Sequence, residues 1–189
     1  MSELEGKQLA LAKLIDGQVI DDSERVAVHV KGQVNGFPAT LQAFSTGWPF
    51  GCMYAIETNP GAQVEVSLEN QAKITILPRM GRGIWSFFFH AFLFESKGRG
   101  VRDKKLESKL IFSYDNAEPA LRFCRYPGVP DILLEMEKYS KIKELVIKTD
   151  QGLYLSQGVS SHLLDTDVCQ ATFKWMGELG QVIHDAFGE

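Results

Sequence analysis

Residues 25–44, RVAVHVKGQVNGFPATLQAF, decide the fold class of this chain. Apolar residues recur at every second position of 26–30, which predicts a β-strand. Asn35-Gly36 follows, and this dipeptide is the commonest hairpin signal because both turn positions accept a positive φ. Ala39–Phe44 is then the returning strand. Pro38 cannot donate a hydrogen bond to a neighbouring strand, so it predicts that the returning strand lies at the edge of a sheet.

Patterns on either side of this hairpin predict more strands and several helices. The strands are expected at Cys52–Thr58, Gln63–Leu68, Lys73–Leu77 and Leu110–Tyr114, with a hairpin formed by Glu144–Lys148 and Leu153–Ser156. Short helices are expected near the N-terminus, up to Arg125 and after Pro130. Strands that precede a mixed second half predict an α+β fold. We expect an antiparallel sheet of about six to eight strands, helices packed on one face, and a long C-terminal helix.

Two helices also have a predicted inward side. After Pro130, the residues expected to face the core are Ile132, Leu133, Met136 and Tyr139. In the last helix the expected inward stripe is Val168, Ala171, Trp175, Leu179, Val182 and Ala186. Asp165-Thr166-Asp167 stands just before that helix, where side-chain oxygens cap free amides. We therefore interpret this acidic triplet as a helix cap rather than as part of a metal site.

The length of 189 residues predicts one α+β domain over residues 1–189, with a strand-rich part at about 18–96 and a mixed part at about 106–189. A composition of 44% hydrophobic residues excludes intrinsic disorder. The longest nearly uncharged apolar run, Ile84–Phe94, has 11 residues, whereas a membrane span needs about 20. The charged N-terminus resembles no signal peptide, and three widely spaced cysteines suggest no disulfide framework. These features predict a cytoplasmic location.

Charge is distributed unevenly along the chain. Residues 79–109 contain eight Lys/Arg and three acidic residues, although the whole chain has a net charge of −4. Two turns in this segment, Met80-Gly81-Arg82-Gly83 and Lys97-Gly98-Arg99-Gly100, place an arginine between glycines. Glycine lets backbone amides approach an anion, and arginine binds phosphate or carboxylate oxygens in a bidentate manner. The predicted anion-binding residues are Arg82, Arg99, Arg102, Lys104 and Lys105.

These turns match neither of the common nucleotide-binding glycine motifs, so the sequence predicts no cofactor. Basic turns that simply flank an apolar segment are the simpler interpretation. The acidic remainder of the chain makes nucleic acid an unfavourable partner. An anionic small molecule or an anionic protein partner fits the pattern better.

The flanked segment Ile84–Phe94 contains five of the 12 phenylalanines. A strand buried on both sides is the favoured interpretation. The alternatives are an aromatic homodimer interface and a peripheral contact with an anionic membrane surface, the latter less favoured. Trp48 and Phe50 lie in a Gly/Pro-rich loop, where covering the end of the sheet is the favoured interpretation. The alternative is that they line a pocket, for which Trp85 is a further candidate.

Catalytic motifs are lacking in the sequence. It contains no Gly-x-Ser-x-Gly elbow and no histidine pair at metal-ligand spacing. The run Gly98–Gln157 resembles bacterial domains of unknown function in its order of elements, which implies no site and no activity. The leading prediction is a binding domain without catalytic machinery, acting as a homodimer. The alternatives are a hydrolase-like enzyme with a pocket near Trp48 and with His29 or His162 as acid/base, and a structural subunit of a homo-oligomer.

Overall fold

The computed structural model describes residues 3–21, 26–44, 51–60, 66–79, 98–140, 142–157 and 165–188. Within these ranges five helices and nine strands are present. The helices are α1 (Glu3–Leu14), α2 (Lys104–Lys109), α3 (Ala117–Cys124), α4 (Val129–Ser140) and α5 (Thr166–Phe187). The strands are β1 (Gln18–Val19), β2 (Val26–Val34), β3 (Phe37–Phe44), β4 (Gly51–Glu57), β5 (Lys73–Pro78), β6 (Gly98–Arg99), β7 (Leu110–Tyr114), β8 (Ile142–Lys148) and β9 (Gly152–Gln157).

All nine strands form one antiparallel sheet in the order β1-β2-β3-β4-β9-β8-β5-β7-β6. The α+β prediction is confirmed, and so is the long C-terminal helix. The predicted count of six to eight strands is too low. Both extra strands, β1 and β6, have only two residues, and a two-residue strand leaves no periodicity in the sequence.

The β2–β3 hairpin forms at the predicted turn, with φ values of 52° at Asn35 and 82° at Gly36. The prediction from Pro38 is wrong, because β3 lies between β2 and β4 rather than at an edge. Pairing of β3 with β4 begins only at Ala39, opposite Ile56. Pro38 therefore sits beside the turn, where its missing N–H removes no hydrogen bond to β4.

The sheet unites distant parts of the chain. The β8–β9 hairpin, predicted from its sequence, inserts between β4 and β5, so that Tyr54 pairs with Leu155 and Ile76 pairs with Leu145. Side chains alternate across the strands, and β4 buries Cys52, Tyr54 and Ile56 while Met53 and Glu57 are exposed. The buried side of β4 faces α5, where the ring of Tyr54 packs edge-on against Phe173 at 5.2 Å.

Helix α5 packs closely on the sheet because two of its residues are glycines. A Cβ at Gly177 would lie 2.6 Å from Val34 Cγ1, and one at Gly180 would lie 3.3 Å from Ile56 Cγ2. The inward side is rotated from the predicted stripe: Leu179 and Val182 are buried, but the other four predicted residues are only half-buried. The remaining buried side chains of the helix include Cys169, Thr172, Phe173, Met176 and Ile183.

Two other local predictions differ from the structure. Tyr139 was expected in the core, but it is 51% exposed and stacks on Trp175 of α5 with a centroid distance of 6.1 Å. Of the strand expected at Gln63–Leu68, only Val66–Leu68 is described, and these residues belong to no strand. The Asn70 amide instead closes a turn by donating to the Ser67 carbonyl at 2.9 Å. None of the helices in the described ranges is both long enough and apolar enough to cross a bilayer.

Candidate anion-binding site

Four of the five predicted anion-binding residues lie close together in sequence and are exposed. Arg99 ends β6, Arg102 lies in the loop that follows, and Lys104 and Lys105 begin α2. Arg82 lies outside the described residues. Lys109, at the end of α2, is also exposed, and its carbonyl accepts a hydrogen bond from the Arg79 amide at 2.6 Å. We refer to Arg99, Arg102, Lys104, Lys105 and Lys109 as the basic corner.

The loop between β6 and α2 is held in an unusual backbone conformation. Gly100 and Arg102 both have positive φ, at 75° and 61°. Between them Val101 turns inward and is 1% exposed, and Leu106 of α2 is fully buried. Gly98 is required at the start because a Cβ there would lie 2.1 Å from the ring of Tyr114. The loop is therefore anchored by apolar side chains while its arginines remain at the surface.

Both acidic side chains of this segment bind backbone amides. Asp103 caps α2 by accepting from the amides of Lys105 at 2.8 Å and Leu106 at 3.0 Å. Glu107 Oε1 accepts from the amides of Val101 at 2.7 Å and Arg102 at 2.8 Å. These bonds direct the carboxylates toward the main chain, and the five cationic residues of the basic corner are exposed at the surface.

This arrangement determines how an anion could bind. Successive backbone amides in a turn form a concave anion site, but here Glu107 already occupies the amides of Val101 and Arg102. A phosphate or carboxylate would therefore be held by side chains rather than by the main chain. Such binding depends on charge more than on precise geometry, because exposed lysine and arginine side chains are mobile.

A groove of about 430 Å³ adjoins the basic corner between α2 and α4. Lys105 and Lys109 line it from α2, and Asp131 and Glu135 line it from α4. Lys105 Nζ lies 3.6 Å from Asp131 Oδ1, and both side chains are more than two-thirds exposed. Asp131 would thus compete with an incoming anion for Lys105 of the basic corner.

The candidate pocket and acid/base residues are only partly described. Trp48, Phe50, Trp85 and His162 all lie outside the described ranges. His29 lies on β2 and is 4% exposed, with its Nε2 3.4 Å from Gln42 Nε2. A histidine so well buried has little access to a substrate.

A buried polar cluster that the sequence analysis missed lies where α4 and α5 meet the sheet. Tyr54 Oη is 3.3 Å from Cys169 Sγ, and Thr172 Oγ1 is 3.0 Å from Ser140 Oγ. Gln157 Nε2 donates to the Thr172 hydroxyl at 3.4 Å. These residues come from four separate elements, and each alone resembles an ordinary core residue, so no sequence pattern marks the cluster.

The groups in this cluster are held in their neutral forms. Burial raises the pKa of the Cys169 thiol. It also raises the pKa of Cys52, which lies near the cluster, to about 12. Burial also raises the pKa of Tyr54, with further contributions from Cys169. Thiolates rather than thiols are nucleophilic, so the cluster contributes to packing rather than to reactivity at neutral pH.

Comparison with known proteins identifies no family for the chain. No protein-family model, curated protein or solved structure matches it. Within the described ranges, no group of three or more His, Cys, Asp or Glu residues could hold a metal ion. The predicted helix cap is confirmed, because Asp165 Oδ1 accepts from the amides of Asp167 at 2.9 Å and Val168 at 3.4 Å.

Proposed function

We propose that this chain is a binding domain that recognises an anionic ligand or an anionic protein partner at the basic corner. One observation carries the proposal: the acidic residues within 98–109 bind backbone amides, while the five cationic side chains of the same segment are exposed. Residues 98–109 thus have a local excess of positive charge, although the net charge of the whole protein is −4. Such an excess attracts anions and positions them through several weak contacts.

The expected strength of binding follows from the exposure of these groups. An exposed ion pair contributes about 0–1 kcal/mol, so useful affinity requires several cations to act on one polyanionic surface. Their field is screened over about 8 Å at physiological ionic strength. Binding at the basic corner should therefore weaken strongly as salt is added.

The alternative functions gain no support from the described residues. The enzyme alternative depends on Trp48, Phe50 and His162, which are not described, or on His29, which is buried. The homodimer interface was expected at Ile84–Phe94, which also lies outside the described ranges. The homodimer and the cytoplasmic location therefore stay predictions.

The test compares the wild type with Arg99→Ala/Arg102→Ala. Two fluorescent probes, a polyphosphate and a glutamate-rich peptide, distinguish a small anionic ligand from an acidic protein surface. We expect anisotropy titrations over a series of salt concentrations to show salt-sensitive binding. The double variant should bind about tenfold more weakly, the loss expected from two exposed charge contacts, with a shallower dependence on salt.

Lys13→Ala/Lys31→Ala is the matched control, because it removes the same charge from two exposed lysines on α1 and β2. If this control loses as much affinity as the arginine variant, the effect comes from net charge and the basic corner is not the site. An unchanged salt dependence in the arginine variant would also contradict the proposal.

A further inference from the structure

We propose that the structure contains a specific binding site for one water molecule, which links the end of β4 to the C-terminal end of α5. The site is a cavity of about 20 Å³. A single water needs roughly 10–15 Å³ of room, so the cavity accommodates one water and little more. Its walls include Thr58, Asn59 and Thr149, together with Ile183, His184 and Phe187 of α5.

The decisive group is the hydroxyl of Thr58. Its Oγ1 is buried and has no hydrogen-bond partner among the described residues. The methyl group of the same side chain packs toward α5, where Cγ2 would lie 3.4 Å from a Cβ at Gly180. A buried hydroxyl without a partner costs about 1–3 kcal/mol. A water in the adjoining cavity would remove this cost.

Thr149, the second threonine that lines the cavity, has a hydroxyl that both accepts and donates a hydrogen bond. Thr149 Oγ1 accepts from the Ala72 amide at 2.8 Å and donates to the Asn70 carbonyl at 2.8 Å. Its hydroxyl is therefore already engaged with the main chain. Thr58 lacks this arrangement, although its backbone amide is paired with the Gln151 carbonyl at 2.9 Å.

The opposite wall supplies further polar groups. Helix α5 ends at Phe187, and the last turn of any helix has carbonyls without intrahelical donors. One of these, the His184 carbonyl, is satisfied by the Gly188 amide at 2.8 Å. A buried water typically makes about three hydrogen bonds. We assign one of these bonds to the Thr58 hydroxyl and expect the others from the main chain of the last turn of α5, which lines the cavity.

The water would connect helix α5 to three segments that are already hydrogen-bonded to one another. The Asn59 side chain donates to the Asp150 carbonyl at 3.2 Å, and the Thr149 amide donates to the Ala72 carbonyl at 3.0 Å. These bonds tie the end of β4, the β8–β9 turn and the segment before β5 together. Helix α5 contributes mainly apolar contacts here, from Ile183 and Phe187. A bridging water would give its C-terminus a polar connection.

Thr58→Val tests the site because it keeps the shape of the side chain and removes only the hydroxyl. If a water is bound, the variant should lose about one long-lived internal water in oxygen-17 relaxation dispersion. Its urea midpoint should also fall, because the polar connection that the water makes to α5 is lost. If no water is bound, the variant removes an unpaired buried hydroxyl, and the midpoint should rise.

Thr58→Ser is the matched control, because it keeps the hydroxyl, and it should retain the internal water. An unchanged number of long-lived waters in Thr58→Val, or a raised urea midpoint, would overturn the proposal. A high-resolution crystal structure of the wild type gives a readout that does not depend on folding of the variants. Electron density for a water within hydrogen-bond distance of Thr58 Oγ1 is expected, and its absence would equally contradict the site.

Discussion

Glu107 Oε1 lies 2.8 Å from the backbone nitrogen of Arg102 and accepts its hydrogen bond. The same oxygen accepts from the Val101 amide at 2.7 Å. Arg102 has a φ of 61°, a conformation that costs a non-glycine residue free energy unless its surroundings hold it there. Glu107 thus fixes the loop that presents the arginines of the basic corner.

Replacing Glu107 should destabilise the protein by unpairing these amides. In Glu107→Ala both lose their acceptor, and Val101 is 1% exposed, so water replaces the lost bond poorly. We expect a loss of about 1–3 kcal/mol in the free energy of unfolding, measured by urea titration. Glu107→Gln keeps an acceptor without the charge and should lose less. Glu144→Ala, which changes an exposed glutamate of β8, is the control; equal stability of the two alanine variants would contradict this role.

The three cysteines should be unreactive in the folded protein. All are buried, and burial raises the pKa of Cys124 to about 12, as it does for Cys52. At mildly alkaline pH almost no thiolate is present, so a disulfide reagent should modify the native protein slowly. In denaturant, three thiols per chain should react at once. Rapid labelling of the native protein would show that at least one thiol is accessible.

The same pKa shifts predict that the protein loses stability in alkaline solution. An ordinary thiol has a pKa of 9.0, whereas that of Cys124 is about 12 when folded. Above pH 9 the unfolded chain releases this proton and the folded chain keeps it, so the unfolded state gains free energy of ionisation. The contribution of Cys124 to the free energy of unfolding is therefore fully present below pH 9, and it falls as the pH rises toward 12. Cys124→Ala should show a shallower decline in urea midpoint over this range; an identical decline would assign the effect to other groups.

Local signals in the sequence predicted most strands and helices, but they did not predict which strands pair or which side of a helix contacts the sheet. Asn35-Gly36 specifies its hairpin because the positive φ values are a property of the two turn residues themselves. The insertion of β8 and β9 between β4 and β5 depends on pairing between residues about 70 to 100 positions apart, and no short window contains that information. For the same reason the period of α5 indicated a helix but not which of its apolar sides faces the sheet.

The sequence also indicated only part of the candidate site, because the rest depends on how separate elements pack. Composition alone located the cationic residues of 98–109, because an excess of charge can be counted. It could not show that Glu107 turns toward the amides of Val101 and Arg102, since this depends on how α2 packs beside the loop. Nor could it mark Thr58, whose hydroxyl lies where the end of β4 meets the end of α5 and has no partner among the described residues.

Two glycine substitutions should change stability in opposite directions. A Cβ at Gly32 of β2 would lie 2.1 Å from the Ile15 carbonyl oxygen, a main-chain atom that cannot easily move away. Gly32→Ala should therefore cost at least about 1–3 kcal/mol. Gly6 lies inside α1 with nothing within 4 Å of its added Cβ, so Gly6→Ala should gain up to about 1 kcal/mol from helix propensity. Thermal unfolding of both variants provides the comparison, and a neutral Gly32→Ala would show that the N-terminal helix can shift away from β2.

Asp131→Asn should strengthen anion binding at the basic corner. Asp131 Oδ1 lies 3.6 Å from Lys105 Nζ, and an incoming anion must compete with it. Removing this charge frees Lys105, and because the pair is highly exposed the gain should be about two- to fivefold in affinity for the acidic peptide. Glu178→Gln is the matched control, since it breaks another exposed pair, Lys174–Glu178 at 4.0 Å, and removes the same charge from α5. Anisotropy titrations should show that Asp131→Asn binds the acidic peptide more tightly than both the wild type and this control do. Equal affinities for the two variants would mean that Lys105 does not contact the anion and that only net charge matters.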